Sequence, residues 1–427
     1  MKSMLSKDIR KKLEEIKRYF PSSILFLLRQ IKFLCANTIF FITEVIYTPI
    51  AAAFYILGIN FPEFLLGRIG HLCVEPDIYL KQNILEKADL GSKPRKSRRD
   101  IILVTLSTKI ANQALLDYWG KYFHIIDNPL LARVLLPLVK HPLTHVNTES
   151  IVAERTTVKA PGIIKKWADQ GTLIKLSDEH IRLGQEMRSV LGIPEGKWHA
   201  CIHCREGNLF PDDEHSQSYR SGDISDFFPV AKMIVDLGGI PVRMGDSTMK
   251  PVEGIVPGLV DYAHSPLKQD WLDLYLASTC KLFIGAASGA YCMATLFGVP
   301  VVCVNAVPLT SVFPLGMRSI GIPQLHYSGK LNRLLTFAEI ANSPVANYRD
   351  NNQFKSDNIA LVKNSSQDIR DVFLETFEKL NGSFYTSEHD AELQSKFKSL
   401  FKPGHYLYGS ASEIGTLFLR KHQNLLD

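Results

Sequence analysis

The chain has 427 residues, of which 46% are hydrophobic and 22% charged, and its mean hydropathy is 0.00. That composition belongs to a globular protein of about two or three domains with a sizeable core, and it excludes a disordered or fibrous chain. The net charge is +6, and residues 1–32 alone carry nine Lys or Arg against Asp8, Glu14 and Glu15, so the remainder is about neutral and offers no basic surface for nucleic acid.

The basic stretch Lys7–Arg29 has helical character, and residues 33–59 that follow are strongly apolar, interrupted by Asn37, Glu44 and Pro49. No secretory signal pattern is present, because the apolar stretch starts too late and no small-residue cleavage site follows an early apolar core. The 27 residues are long enough to span a bilayer, but a central glutamate costs about 2.5–3.5 kcal/mol there and Pro49 invites a kink. A basic amphipathic helix followed by a broken apolar one predicts an interfacial or re-entrant anchor, with the basic flank on the cytoplasmic, anionic-lipid side. The alternative is a helix pair packed on the protein's own core.

Beyond the anchor, Leu66-Gly-Arg-Ile-Gly-His-Leu72 is a glycine-punctuated turn before a helical stretch that reaches about Glu86. Lys93–Arg99 reads as a solvated loop before a strand at Ile101–Leu106. Helical runs follow at Ile110–Trp119 and Leu130–Leu138, and Leu183–Leu191 is amphipathic behind the cap Ser177-Asp-Glu. From there strands are predicted at His199–Arg205, Ile240–Met244, Val260–Tyr262 and Leu282–Ile284. Helices at Phe227–Leu237 and Trp271–Ser278 alternate with them. This spacing of about 30 residues is the βαβ signature of a parallel sheet. Residues 366–383 and 388–422 look helical and close the chain.

The seven cysteines are an odd set lying mostly in apolar strands, which reads as buried small hydrophobes in a reducing compartment. Cys201-Ile-His-Cys204 has C-x-x-C spacing, but it sits on a strand without the second pair that zinc needs. A redox dithiol belongs at a helix start.

Residues 279–305 carry the strongest signal. They read as a buried strand, a small-residue turn (Gly285–Gly289), a helix at Ala290–Phe297 and a second apolar strand after Pro300. A small-residue turn feeding a helix start presents backbone N–H groups to an anion. Ser288 and Gly289 stand where a phosphate would sit.

Trp271 to Asn305 resembles the nucleotide-binding half of two-Rossmann-domain (GT-B) glycosyltransferases, especially the lipopolysaccharide heptosyltransferases. An acidic helix, a strand, a Ser-Gly turn, a helix and a Gly-x-Pro occur there in that order. From about Leu66 onward, roughly 85% of the chain, the sequence is similar to glycosyltransferases of bacterial surface-polysaccharide loci. The matching pieces are Gly67-Arg-Ile-Gly-His71, Cys201-Ile-His-Cys-Arg-Glu206, Tyr219-Arg-Ser-Gly-Asp-Ile224, Gly239-Ile-Pro-Val-Arg-Met-Gly-Asp246, Asp261-Tyr-Ala-His-Ser265 and Ile414-Gly-Thr-Leu-Phe-Leu-Arg420. His203-Cys-Arg205 is also similar to the strand-end His-x-Arg of fucosyltransferases. The second Arg and Thr-Asp of that pattern are replaced here by Glu206-Gly-Asn208, which leaves GDP-fucose one donor among several.

The resemblance implies an α/β protein of GT-B type: two Rossmann-like domains facing a cleft, behind an N-terminal helical membrane-associating segment. Its expected boundaries are 1–60 for that segment, 61–192 for an acceptor domain, 193–365 for a nucleotide-sugar domain and 366–427 for helices packing back. The implied activity moves a sugar from a nucleotide-sugar to a lipid-linked or polysaccharide acceptor at the cytoplasmic face of the inner membrane. A nucleotide-sugar epimerase of the same fold and a non-catalytic scaffold of a polysaccharide assembly complex are the alternatives.

Such transfer needs the leaving phosphate neutralised, which a fixed cation and oriented N–H groups can do. Arg205, at a strand end where α/β sheets bind ligands, is the first candidate cation, and Arg243, ending the next strand, is the second. Each could instead form an ion pair, Arg205 with Glu206 or Asp223 and Arg243 with Asp246. His203 shares Arg205's side of the strand. His264 and Ser265 could meet the base or ribose. Asp270 and Asp273, three apart on one helix face, could contact hydroxyls or cap the helix. The base that deprotonates the acceptor is sought among His71, Glu75 and Asp77, after the first glycine turn. No Asp-x-Asp follows a strand in the nucleotide half, and Asp212-Asp213 sits in a polar loop, so neither an obligate metal nor a cofactor is expected.

Overall fold

The computed structural model describes residues 45–89, 99–146, 160–168, 170–206, 209, 211–252, 254–403, 405 and 407–426. The basic helix, the start of the apolar stretch up to residue 44 and the charged loop 93–98 therefore lie outside the described residues. The chain divides into two compact units; among the described residues the first holds 45–62, 99–105 and 125–146, and the second the rest.

The first unit opens with a helix over 45–57. Strands β1 (Ile59–Pro62), β2 (Arg99–Leu103), β3 (His124–Ile126) and β4 (His145–Val146) follow, with a helix at Pro129–Val139. The sheet order is β3-β2-β1-β4, and β1 runs parallel to both neighbours, with Ile59 opposite Arg99 and Phe61 opposite His145. Pro129 starts its helix behind Asn128, whose side chain accepts the Leu131 N–H, a cap that Pro at the first position suits. The core is small: Ala51, Phe61 and Leu138 are fully buried, with Tyr47, Phe54, Leu135 and Val139 packed around them.

The second unit is built on a parallel sheet. Its strands β5 (His199–His203), β6 (Ile240–Arg243), β7 (Phe283–Ala286), β8 (Val301–Ala306) and β9 (Ile320–Pro323) are almost wholly buried, as a sheet covered on both faces requires. β10 (Leu325–Ser328), β11 (Arg333–Leu334) and β12 (Ile359–Val362) form a small antiparallel sheet that the sequence pattern did not disclose. β13 (Glu413–Ile414) completes the large sheet, whose order is β13-β9-β8-β7-β5-β6 with every registered pair parallel. Counting from β5, the order is 2-1-3-4-5-6. The winding reverses between β5 and β7, which is the position where sheets of this kind take ligands.

The expected parallel α/β architecture is therefore present, with two local corrections. The helix expected over 388–422 is two helices, Glu388–Ser399 and Thr416–Lys421, separated by β13. The edge strand forms because Gly415 lies flush on the sheet. Its N–H bonds the Gly321 carbonyl at 3.1 Å, and a Cβ there would come 2.8 Å from Ile322 Cγ2. The strand expected at Val260–Tyr262 reduces to a single bridge from Val260 to Val242, and Tyr262 begins a 3-10 turn (Tyr262–His264). Among the described residues no helix is long and apolar enough to cross a membrane.

The Asp270–Thr279 helix packs against the Asp178–Val190 helix, and Gly184 is the contact point. A Cβ at Gly184 would lie 2.2–2.4 Å from the ring of Tyr275, itself 3% exposed. Gly184→Ala is expected to cost about 1–3 kcal/mol by overpacking, more than alanine's helical preference returns. A urea titration would read this as a lowered midpoint with an unchanged slope. An unchanged midpoint would mean that the ring moves aside freely.

Candidate functional site

The reversal of the sheet brings the end of β5 beside the end of β7, with His203 opposite Gly285. Close approach is enforced there, since a Cβ on Gly285 would sit 2.9 Å from the His203 carbonyl oxygen. His203 Nδ1 lies 3.1 Å from the Met244 carbonyl, and Nε2 lies 3.0 Å from Ser288 Oγ. A carbonyl can only accept, so the proton is on Nδ1 and Nε2 is bare. Ser288 then donates its hydroxyl proton to Nε2, while its oxygen accepts the Ala290 N–H at 3.2 Å. Burial pushes the His203 imidazole down to about 4, so the ring is neutral at physiological pH. The helix after the turn is shorter than expected, Cys292–Leu296, and residues 287–291 form the turn.

A second backbone meets this turn. A Cβ on Gly70 would lie 2.8 Å from Gly289 Cα, and one on Gly289 would lie 2.7 Å from Gly70 N. The start of the Ile69–Asp89 helix is thereby pressed against Ser288-Gly289, and the next residue along that helix is His71. Its Nδ1 is 2.7 Å from Glu75 Oε1, one helical turn later, and the other oxygen of Glu75 accepts the Leu65 N–H at 2.9 Å. Glu75 is fully buried while the His71 side chain is 41% exposed. A carboxylate on Nδ1 leaves Nε2 as the accessible lone pair, which is the arrangement of a general base.

The other predicted residues are placed as follows. Arg205 lies two residues beyond β5 and turns toward the Pro211–Gln217 helix, where Nη1 meets Glu214 Oε2 at 3.1 Å, the Gln217 carbonyl at 3.4 Å and Ser221 Oγ. Its partner is thus Glu214, not Glu206 or Asp223. Arg243 is 1% exposed and bonds Glu206 (2.9 Å), both oxygens of Asp261 (3.2 and 3.3 Å) and the Lys250 carbonyl (2.6 Å), rather than Asp246. That guanidinium is an internal strut: Glu206 and Asp261 in turn accept the N–H groups of Lys250 and Val252.

His264 Nε2 donates to the Met249 carbonyl at 2.9 Å, and Ser265 Oγ accepts the Leu267 N–H at 3.2 Å. Asp270 caps a neighbouring helix, its Oδ2 accepting the Gln113 N–H at 2.6 Å and its carbonyl the Asn112 amide at 2.9 Å. Asp77 pairs with Lys81 at 2.6 Å, its Oδ1 has no partner, and burial raises its pKa in spite of Lys81. The backbone of Asp212-Asp213 is helical, in Pro211–Gln217, and not a loop. Among the described residues no group of three or more His, Cys, Asp or Glu is placed to hold a metal ion. Cys201 and Cys204 are buried thiols whose pKa values burial raises, the latter to about 12.

No protein-family model matches this sequence, and no curated protein matches it. Solved structures do. Its structural neighbours are glycosyltransferases. A glycosyl transferase family 9 protein from Veillonella parvula is 15% identical and is covered over 58% of this chain and 81% of that one, with a TM-score of 0.38. ADP-heptose lipopolysaccharide heptosyltransferase II of E. coli is 10% identical over 57% and 83%, at 0.35. The dodecameric iron-containing heptosyltransferase TibC, solved with ADP-D-β-D-heptose, is 14% identical over 58% and 57%, at 0.32. At these scores the likeness assigns no role to any residue here, and the site rests on its own geometry.

Glu75, expected as one of three candidate bases, is bonded to His71 Nδ1 instead, a pairing that the spacing His71-x-x-x-Glu75 could have disclosed. Gly70 was marked by its glycine-punctuated turn but not as a contact of Gly289, and the Met244 carbonyl carried no sequence signal.

Two measurements follow from the buried groups. His199, His203 and His326 are each held near 4 by burial. The unfolded chain therefore binds more protons than the folded one between about pH 6.5 and 4. Their contribution to stability is whole above that window and is lost as pH falls through it, on the order of 3 kcal/mol per histidine at the acid end. Denaturation midpoints against pH should show this slope, and His203→Gln should shed its share. A slope identical in the variant would contradict a neutral buried His203. Arg243→Leu strands Glu206 and Asp261 and is expected to cost about 3–5 kcal/mol in urea denaturation.

Proposed function

We propose that this chain is a glycosyltransferase that moves a sugar from a nucleotide-sugar donor to a lipid-linked or polysaccharide acceptor. The observation that carries the reading is the convergence at the sheet reversal. There the His203–Ser288 pair meets a carboxylate-held histidine, His71, through the Gly70–Gly289 contact.

In this reading the donor diphosphate lies over the turn 287–290, received by backbone N–H groups, because the Ser288 proton is already given to His203. Arg205 supplies the cation for the leaving phosphate. Its Glu214 partner is 33% exposed, so a diphosphate can replace that carboxylate at the guanidinium. His71 Nε2 takes the proton of the acceptor hydroxyl as that oxygen bonds to the anomeric carbon, and the nucleoside diphosphate leaves with the electron pair of the broken bond. Arg243, His264, Ser265 and Asp270 are assigned to holding the walls of the site rather than to direct contact with the donor. The donor is a substrate, and no cofactor or metal is invoked. The basic and apolar segment 1–60 supports, in this reading, a peripheral or monotopic position on the cytoplasmic face of the inner membrane, where the effective concentration of a lipid-linked acceptor is raised.

Thermal-shift titration with ADP, UDP, GDP and CMP identifies the donor class, since a nucleotide that binds only the native state raises the melting temperature. With that donor, His71→Asn is expected to lower kcat by roughly a hundredfold or more while leaving the nucleotide shift intact. Arg205→Ala should reduce both. Near-normal turnover by a folded His71→Asn protein would remove His71 as the base, and no shift with any nucleotide would remove the function.

A further inference from the structure

We infer that the outward faces of the 45–57 helix and the Pro129–Val139 helix form one apolar surface that docks on an anionic lipid bilayer. This extends the membrane reading of residues 1–60 to a helix much later in the chain, and it is independent of sugar transfer.

Both helices are apolar on two sides. Inward, Tyr47, Ala51 and Phe54 pack with Leu135, Leu138 and Val139 over the sheet of the first unit. Outward, Ile46 and Ile56 are 56% and 61% exposed, and Leu130 and Val134 are 78% and 58% exposed. The helices lie side by side: Tyr47 Oη donates to the Val134 carbonyl at 2.6 Å, and Thr48 Oγ1 lies 3.3 Å from His141 Nε2. Residues 45–59 contain no charged side chain, and Pro129–Val139 contains only Arg133, which is exposed. A helix apolar all round belongs in a core or in lipid, and soluble monomers rarely leave so much apolar surface in one place.

The chain that leads into this face identifies its occupant. Residues 33–44 are mostly apolar and run directly into the 45–57 helix, and residues 1–32 before them hold nine Lys or Arg against three acids. A basic segment joined to an apolar interfacial face matches anionic headgroups over an acyl boundary. A second copy of the chain would bring two such basic segments together, and they would repel.

The test uses the full chain, sedimented with vesicles of phosphatidylglycerol and phosphatidylcholine and with vesicles of phosphatidylcholine alone. Wild type is expected to partition onto the anionic vesicles. Leu130→Glu with Val134→Glu should lower that partition roughly tenfold or more, at an unchanged melting temperature. Leu130→Trp supplies a variant with no added charge, whose emission should shift to the blue on the anionic vesicles.

Suppose the double variant and an Ile46→Glu, Ile56→Glu variant are compared. If only the latter loses binding, the Pro129–Val139 helix is not part of the surface and the inference fails, while the N-terminal reading stands. Unchanged binding by both overturns both. A wild type that ignores vesicles but is dimeric by light scattering, and becomes monomeric with Leu130→Glu and Val134→Glu, would make the face an interface between copies and overturn the inference. An unshifted Leu130→Trp emission would do the same.

Discussion

The site depends on one contact between two backbones, Gly70 against Gly289. Each glycine stands where a Cβ would fall inside 3 Å of the other's main chain, so no other residue fits without moving a helix or a turn. The contact joins two stretches far apart in sequence, the start of the Ile69–Asp89 helix and the turn after β7. It holds the backbone just before His71 against the residue just after Ser288. Because the constraint is steric, it is stiff. Dispersion and exclusion between packed backbones fall off over fractions of an ångström, whereas a hydrogen-bonded pair tolerates more play.

Around that contact the polar groups are organised by burial. His203 is held neutral, and a carbonyl that cannot donate decides its tautomer; the proton of Ser288 follows from that choice. Arg243 follows the same logic with charge. A guanidinium removed from water is tolerable only with both carboxylates and the Lys250 carbonyl in place. It sits two strands from β7 and braces the loop after β6, from which Met244 contributes the carbonyl that fixes His203. The strut and the imidazole are therefore parts of one arrangement, and an arginine that looks from sequence like a phosphate ligand is a support for the group that meets the turn.

The parallel sheet was legible because β5, β7 and β8 are short apolar runs at βαβ spacing, and the turn after β7 was legible because small residues cluster there. Helix limits were read within a few residues where a cap marked them, as at Ser177. Three things were not legible. β13 is two residues long, and an amphipathic tail around it reads as continuous helix; only its pairing with β9 makes it a strand. The antiparallel sheet joins the short hairpin of β10 and β11 to the more distant β12, on strands with weak alternation. The partners of Arg205 and Arg243 were misread because nearest-neighbour acids in sequence, Glu206 and Asp246, were weighed first. The actual partners, Glu214 for Arg205 and Glu206 with Asp261 for Arg243, are brought in by a chain path that no local pattern encodes.

The first unit shows why a fold can be legible and its surroundings not. Its small core centres on Ala51, Phe61 and Leu138. The 45–57 and Pro129–Val139 helices turn Ile46, Ile56, Leu130 and Val134 outward. A helix codes for its inner face through spacing, and that code is satisfied by the sheet. These outward side chains are exposed to water, which disfavours the folded chain relative to one with polar residues there. In the proposed docking, a bilayer interface satisfies both faces at once. The basic charge placed ahead of the 45–57 helix, rather than spread over the chain, is the sequence feature on which that proposal draws for its anionic partner.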